Sequence, residues 1–145
     1  MQPPNLNKWI EIMKNDGRGK TYDALIGLSG GVDSSTTLHY AVQLGLRVLA
    51  YNVDNGWHDP RADENILKMV EKLKVPFIRY PINLNRFHSL QGAFMQAGLK
   101  NLEIPTDHVL MAVGYELAAK YGIKWILSGG NVATESIMPP SWGYT

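Results

Sequence analysis

The chain has no cysteine, which removes disulfides, a thiolate zinc site and a cysteine nucleophile from consideration. Its four histidines, His39, His58, His88 and His108, are scattered without metal-ligand spacing, so zinc is not expected. Excess charge of either sign is also lacking. Fourteen Lys and Arg against 13 Asp and Glu leave a net charge of +1. That gives no case for nonspecific nucleic-acid binding, and no basic cluster argues for a membrane surface. No apolar run approaches membrane-spanning length, and the start Met1-Gln2-Pro3-Pro4-Asn5 lacks the apolar core of a secretion signal. The expectation left by these absences is a reducing cytoplasm.

What is present is an ordinary globular composition, 45% hydrophobic over 145 residues. That suffices for one domain with a real core and not for two. Residues 1–20 read as a short helix with Leu6, Trp9, Ile10 and Met13 on one face, then a turn-rich loop. Residues 21–145 form the main domain. In it, apolar strands alternate with amphipathic stretches. Strands are predicted at 23–28, 47–53, 77–80 and 124–127. Helices are predicted at 33–44, 63–73, around 87–97 and at 106–121, the last with Val109, Ala112, Val113 and Leu117 inward. This pattern implies an α/β fold, a twisted parallel sheet with helices on both faces. The tail from Ile137 to Thr145 carries apolar and aromatic residues but no further strand or helix, and the domain is expected to be truncated there.

The most informative segment is Leu28-Ser29-Gly30-Gly31-Val32-Asp33-Ser34-Ser35, a glycine turn between a buried strand and a helix. Adjacent glycines bring backbone N–H groups close to an anion, and the following helix start faces the same point. Ser29, Ser34 and Ser35 add hydroxyl donors. Asp33 fits either as the helix N-cap or as a ligand to a magnesium ion carried by a nucleotide. The segment is neither G-x-x-x-x-G-K-[ST] nor G-x-G-x-x-G.

Ligands of parallel sheets bind beyond the carboxyl ends of the strands, and three clusters fall there. The second, Asp54-Asn55-Gly56-Trp57, offers a carboxylate for a ribose hydroxyl or a shared magnesium ion, or else a plain Asn-Gly turn. Trp57 reads as packing beside that turn, with stacking on a ligand ring as the alternative. The third, Ser128-Gly129-Gly130-Asn131, repeats the Ser-Gly-Gly and is expected beside the first loop, with Glu135 following as a solvated charge. Pro105-Thr106-Asp107-His108 opens the last helix, with Thr106 as its N-cap and Asp107 in its first turn. Asp107 and His108 there would face the same edge.

Residues 29–35 match the SGGxDS[ST] loop of the N-type ATP pyrophosphatases, the PP-loop family, which the segment resembles in full. The resemblance implies an adenine nucleotide alpha hydrolase-like, Rossmann-like domain that binds ATP with Mg²⁺. Such enzymes cleave ATP to AMP and pyrophosphate and adenylate an oxygen of a second substrate, from which a nitrogen or sulfur nucleophile displaces AMP. It assigns Ser29, Gly30, Gly31, Ser34 and Ser35 to the phosphates, Asp33 to the metal, and Asp54, Gly129 and Asn131 to the nucleotide. Asp33 and Ser29 take the catalytic roles, as charge stabilisers and not as nucleophiles.

Val53–Trp57, Pro105–His108 and residues 128–136, followed by Pro140-Ser141-Trp142-Gly143-Tyr144, look like the N-acetyl sugar amidotransferases of surface-polysaccharide synthesis. That similarity implies an amino-sugar substrate, amidation by ammonia from a glutaminase partner, and a homodimer as a further expectation. Other readings are a tRNA-modifying or amide-forming relative, or a nucleotide-binding module without catalysis.

Overall fold

A computed structural model describes residues 5–57 and 59–130. Four strands, β1 (Ala24–Gly27), β2 (Val48–Asp54), β3 (Phe77–Pro81) and β4 (Trp125–Leu127), alternate with helices. The helices are α1 (Leu6–Asp16), α2 (Val32–Gln43), α3 (Pro60–Leu73), α4 (Leu84–Gln96) and α5 (Ile104–Lys120). All strand pairs are parallel, in the order β3-β2-β1-β4. The α/β expectation holds, with element ends displaced by one turn at most.

Position in the sheet explains the composition of β1. It pairs on both sides, with Leu25 opposite Leu49 and Ile126, and both its faces are covered. Ala24, Leu25 and Ile26 are fully buried, as a central parallel strand requires. Alternate residues then feed two cores. Ile26, Leu28, Val48 and Ala50 pack with Ile10 and Met13 of α1, Leu38 of α2 and Ile66 of α3. Leu25, Leu49, Tyr51 and Val53 pack on the other face with Val113, Leu117 and Ala118 of α5. Burial raises the pKa of the Tyr51 hydroxyl, which donates to the Leu110 carbonyl (3.3 Å).

Several local expectations are corrected. In α1, Ile10 and Met13 are buried while Leu6 and Trp9 stay exposed; Trp9 meets Trp125 edge-on, centroids 5.7 Å apart. In α5, Ala112 points outward and the inward positions are Val113, Gly114, Leu117 and Ala118. That helix starts at Ile104, so Glu103 occupies the cap position and Thr106 lies within the first turn. Pro105 explains the shift, since proline is tolerated only in a helix's first turn. Asp33 is likewise not an N-cap, because α2 begins at Val32 and Gly31 precedes it.

The far end of the sheet is closed by an ion pair. Asp23, 3% exposed, accepts from the Arg47 backbone N–H (2.8 Å) and Nε (3.1 Å) and pairs with its guanidinium. Arg47 Nη2 also donates to the Gly17 carbonyl (2.8 Å), which ties the loop after α1 to the sheet. Burial pushes the Asp23 carboxyl up, but the Arg47 hydrogen bonds and charge outweigh it and hold the pKa below the ordinary value. A lowered folded-state pKa contributes stability above the unfolded value, about pH 4, and loses it as pH falls through the folded value. At pH 7, Asp23→Asn is expected to lose about 2 kcal/mol, less than a fully buried pair because Arg47 is half exposed. Urea midpoints should show that difference at neutral pH and its disappearance on acidification.

Candidate nucleotide site

The phosphate loop begins where β1 ends. Asn52 of β2, 8% exposed, donates through Nδ2 to the Leu28 carbonyl (2.8 Å) and fixes the point at which the chain leaves the sheet. Gly30 then takes φ = 78°, a left-handed conformation that favours glycine. A Cβ there would also lie 2.5 Å from the Ala62 carbonyl oxygen of α3, so this glycine is required twice over. Gly31 is different: its φ of −82° and ψ of 171° are extended backbone open to any residue. Of the two glycines, only Gly30 is demanded by conformation.

Within the loop the hydroxyls bond to one another. The Ser29 N–H donates to Ser34 Oγ (3.3 Å), the two serine hydroxyls lie 3.2 Å apart, and the Gly31 N–H donates to Ser29 Oγ (3.3 Å). Ser34 Oγ donates weakly to the Gly31 carbonyl at 3.4 Å. These contacts are longer than well-formed hydrogen bonds to oxygen, so an anion can replace them at little loss. Ser35 Oγ is better engaged, donating to the Gly31 carbonyl at 2.6 Å, and is a scaffold group as much as a donor.

Helix caps separate the sheet's ligand edge into two kinds of helix start. Asn5, Asp59 and Asn83 accept from backbone N–H groups at the starts of α1, α3 and α4. Among the described residues, neither α2 nor α5 has a side-chain cap. The first N–H groups of a helix have no intrahelical partner. At α2 no described side chain takes them, and they carry the positive end of the dipole.

The third cluster arrives as expected. Because β4 pairs with β1, Gly129 lies against the start of α2. A Cβ at Gly129 would be 2.7 Å from the Ser34 backbone nitrogen. Gly27, Ser29, Asp33, Ser34, Gly129 and Gly130 line one cavity of about 260 Å³. The structure therefore brings five predicted residues together: Ser29, Asp33, Ser34 and Gly129 in this cavity, with Gly30 shaping the loop. Asn131 and Glu135 lie outside the described residues.

Asp54 closes β2 and accepts from the Gly56 N–H (3.3 Å), so its turn role is formed. A second cavity of about 340 Å³ adjoins the first through Gly27 and Ser29 and runs between β2 and α5, past Tyr51, Val53 and Leu110. Sequence reasoning missed Asn52 and Gln91, whose contacts lie 24 and 34 residues away. No periodicity announces such pairs.

No protein-family model matches the sequence, and no curated protein matches it. Solved structures do. An NH₃-dependent NAD synthetase from Campylobacter jejuni aligns with TM-score 0.61 and 17% identity, over 87% of this chain and 55% of that one. A glutamine-dependent NAD⁺ synthetase from Acinetobacter baumannii, in complex with ADP, aligns with TM-score 0.69 and 21% identity, over 90% and 24%. An NMN synthetase from Francisella tularensis gives 0.63 and 19%, over 91% and 56%. This chain thus spans about half the length of two of these proteins and a quarter of the third. At these identities, what the chain shares with the synthetases is their nucleotide-hydrolase-like α/β fold.

Proposed function

We propose that this domain binds ATP and uses it to adenylate the acetamido oxygen of an N-acetyl amino sugar, for amidation by ammonia. The observation that carries the ATP part is the start of α2, capped by no described side chain and facing a cavity whose opposite wall is Gly129 and Gly130. The ADP bound to the Acinetobacter synthetase supports a nucleotide as the occupant. The similarity to sugar amidotransferases supports the acceptor.

Ser29, Ser34 and the α2 N–H groups would hold the pyrophosphate end. Among the described residues, Asp33 is the carboxylate on the cavity wall. Mg²⁺ is commonly bound by one or two carboxylates together with substrate phosphates, so one carboxylate fits an ion brought in with ATP. When bound, that ion neutralises phosphate charge. The acetamido oxygen attacks the α-phosphorus in line, the bond from that phosphorus to the β-bridging oxygen breaks, and pyrophosphate leaves. Ammonia then adds to the activated carbon, AMP departs with the oxygen, and proton loss leaves an acetamidino group. The chain's part is positioning and charge stabilisation, with no covalent enzyme intermediate. A glutaminase subunit as ammonia source, a homodimer and a cytoplasmic setting belong to the same reading.

Pyrophosphate release tests it. Incubated with ATP, Mg²⁺ and ammonium, the protein is expected to release pyrophosphate only when an N-acetyl amino sugar is added. Tight ATP or AMP binding with no release for any sugar would overturn the catalytic reading and leave a nucleotide-binding module.

A further inference from the structure

Among the described residues, no side chain of α4 joins either core, and Phe87 and Gln91 are the buried residues of that helix. Its inward stripe, Leu84, Phe87, His88 and Gln91, meets the turn after β2 instead. A carbonyl only accepts, so His88 carries its proton on Nε2 and donates to the Asn55 carbonyl (3.1 Å). Its ring lies 4.9 Å from that of Trp57, centroid to centroid. Gln91 Oε1 accepts from Trp57 Nε1–H (2.8 Å), and Gln91 Nε2 reaches Thr106 Oγ1 of α5 at 3.5 Å. Gly56 lets α4 come this close. Its φ is 80°, and a Cβ there would lie 3.0 Å from His88 Nε2.

Within the turn, Asp54 Oδ1 accepts from the Gly56 N–H (3.3 Å) and Asn55 Oδ1 from the Trp57 N–H (3.1 Å). Those bonds set the turn's shape, while its placement on the ligand edge comes from β2 and α4. Placement matters, because Asn55 and Trp57 line the 340 Å³ cavity that meets the phosphate cavity at Gly27 and Ser29. Among the described residues, none of α4 lines either cavity, so α4 acts on a ligand there only through the turn. We infer that α4 is a clasp on the nucleotide site, with His88 and Gln91 as positioning residues. They hold the Asp54–Trp57 turn in place for the nucleoside end of the nucleotide and leave the phosphate loop alone. The inference rests on the ATP reading above. A helix with few buried side chains opens at low cost, so the clasp can release without unfolding the sheet. Coupling is reciprocal: if closure favours the nucleotide, the nucleotide must favour closure.

Calorimetric titration of the 145-residue chain with Mg²⁺ and either α,β-methylene ATP or inorganic pyrophosphate tests this. His88→Ala and Gln91→Met, the latter keeping the side chain's shape, should each weaken the analogue about five-fold, the scale of one hydrogen bond. Pyrophosphate, which does not reach the turn, should weaken by less than about two-fold in both. His88→Gln places an amide N–H near the position of Nε2 and should restore the analogue to within about two-fold of wild type. Hydrogen exchange on the wild type needs no variant: the analogue should slow exchange in α4, and pyrophosphate should not. Equal losses for the two ligands would show a merely structural role and overturn the inference. Unchanged analogue affinity in both variants, no rescue by His88→Gln, or α4 exchange that the analogue leaves unchanged would overturn it too, with the ATP site left standing. A wild-type chain that binds neither ligand overturns the ATP reading and the inference with it.

Discussion

Alanine at Gly129 is expected to weaken ATP binding by at least about ten-fold and to destabilise the fold by about 1–3 kcal/mol, the range for overpacking a tight contact. The added methyl has no room. Its nearest neighbours are the Ser34 nitrogen and Cα at 2.7 and 2.8 Å and the Asp33 carbonyl carbon at 3.0 Å. All are backbone, so no side-chain rotation relieves the clash. Either the loop after β4 retreats or the start of α2 does, and both line the phosphate cavity. Gly92 supplies the contrast. It sits inside α4 with open space where a Cβ would go, and Gly92→Ala should stabilise by about 0.5–1 kcal/mol through helix propensity alone. Thermal melts and calorimetric ATP titrations of the two variants check this directly. Unchanged ATP affinity in Gly129→Ala would show that the β4 loop is no part of the site.

The second large effect is on turnover. Asp33→Ala should lower sugar-dependent pyrophosphate release by at least about 100-fold, the scale of losing one preorganised charge stabiliser. Stability should change little. Asp33 is exposed in the first turn of α2 and caps nothing, so the fold loses only a helix-dipole contribution of about 0.3–1 kcal/mol. A residue that matters for structure would show the reverse ratio. Asp33→Asn keeps the shape and removes the charge, and it should be nearly as impaired as alanine. Release rates near wild type in either variant would sink the assignment of Asp33.

Much of this could be read from the residues in order. The strand at Ala24–Gly27 is wholly apolar because it is central and covered on both faces, and the stripe Ile66, Met69, Val70 and Leu73 marks α3 by its spacing. Ser-Gly-Gly at two strand ends could be placed side by side once the sheet was taken as parallel, and β4 does lie beside β1. What could not be read depends on distance. Asp33 misses the cap position because α2 begins one residue before it, at Val32, a boundary that local sequence does not mark. Ala112 satisfied the helical period as an inward position, but the sheet lies against the stripe through Gly114 and Ala118. Asp23 with Arg47, Asn52 with Leu28, and Trp57 with Gln91 are tertiary pairs between elements. Local sequence holds no record of them.

The central assignment is that the loop from Ser29 to Ser35, with Gly129 across from it, seats the pyrophosphate end of ATP. Competition calorimetry tests it most directly, with ATP titrated into the 145-residue chain in the presence and absence of inorganic pyrophosphate. Pyrophosphate should compete for the same site and raise the apparent Kd for ATP in proportion to its concentration, while Ser34→Ala weakens both ligands together. ATP binding that pyrophosphate leaves unchanged, or that Ser34→Ala leaves unchanged, would contradict it.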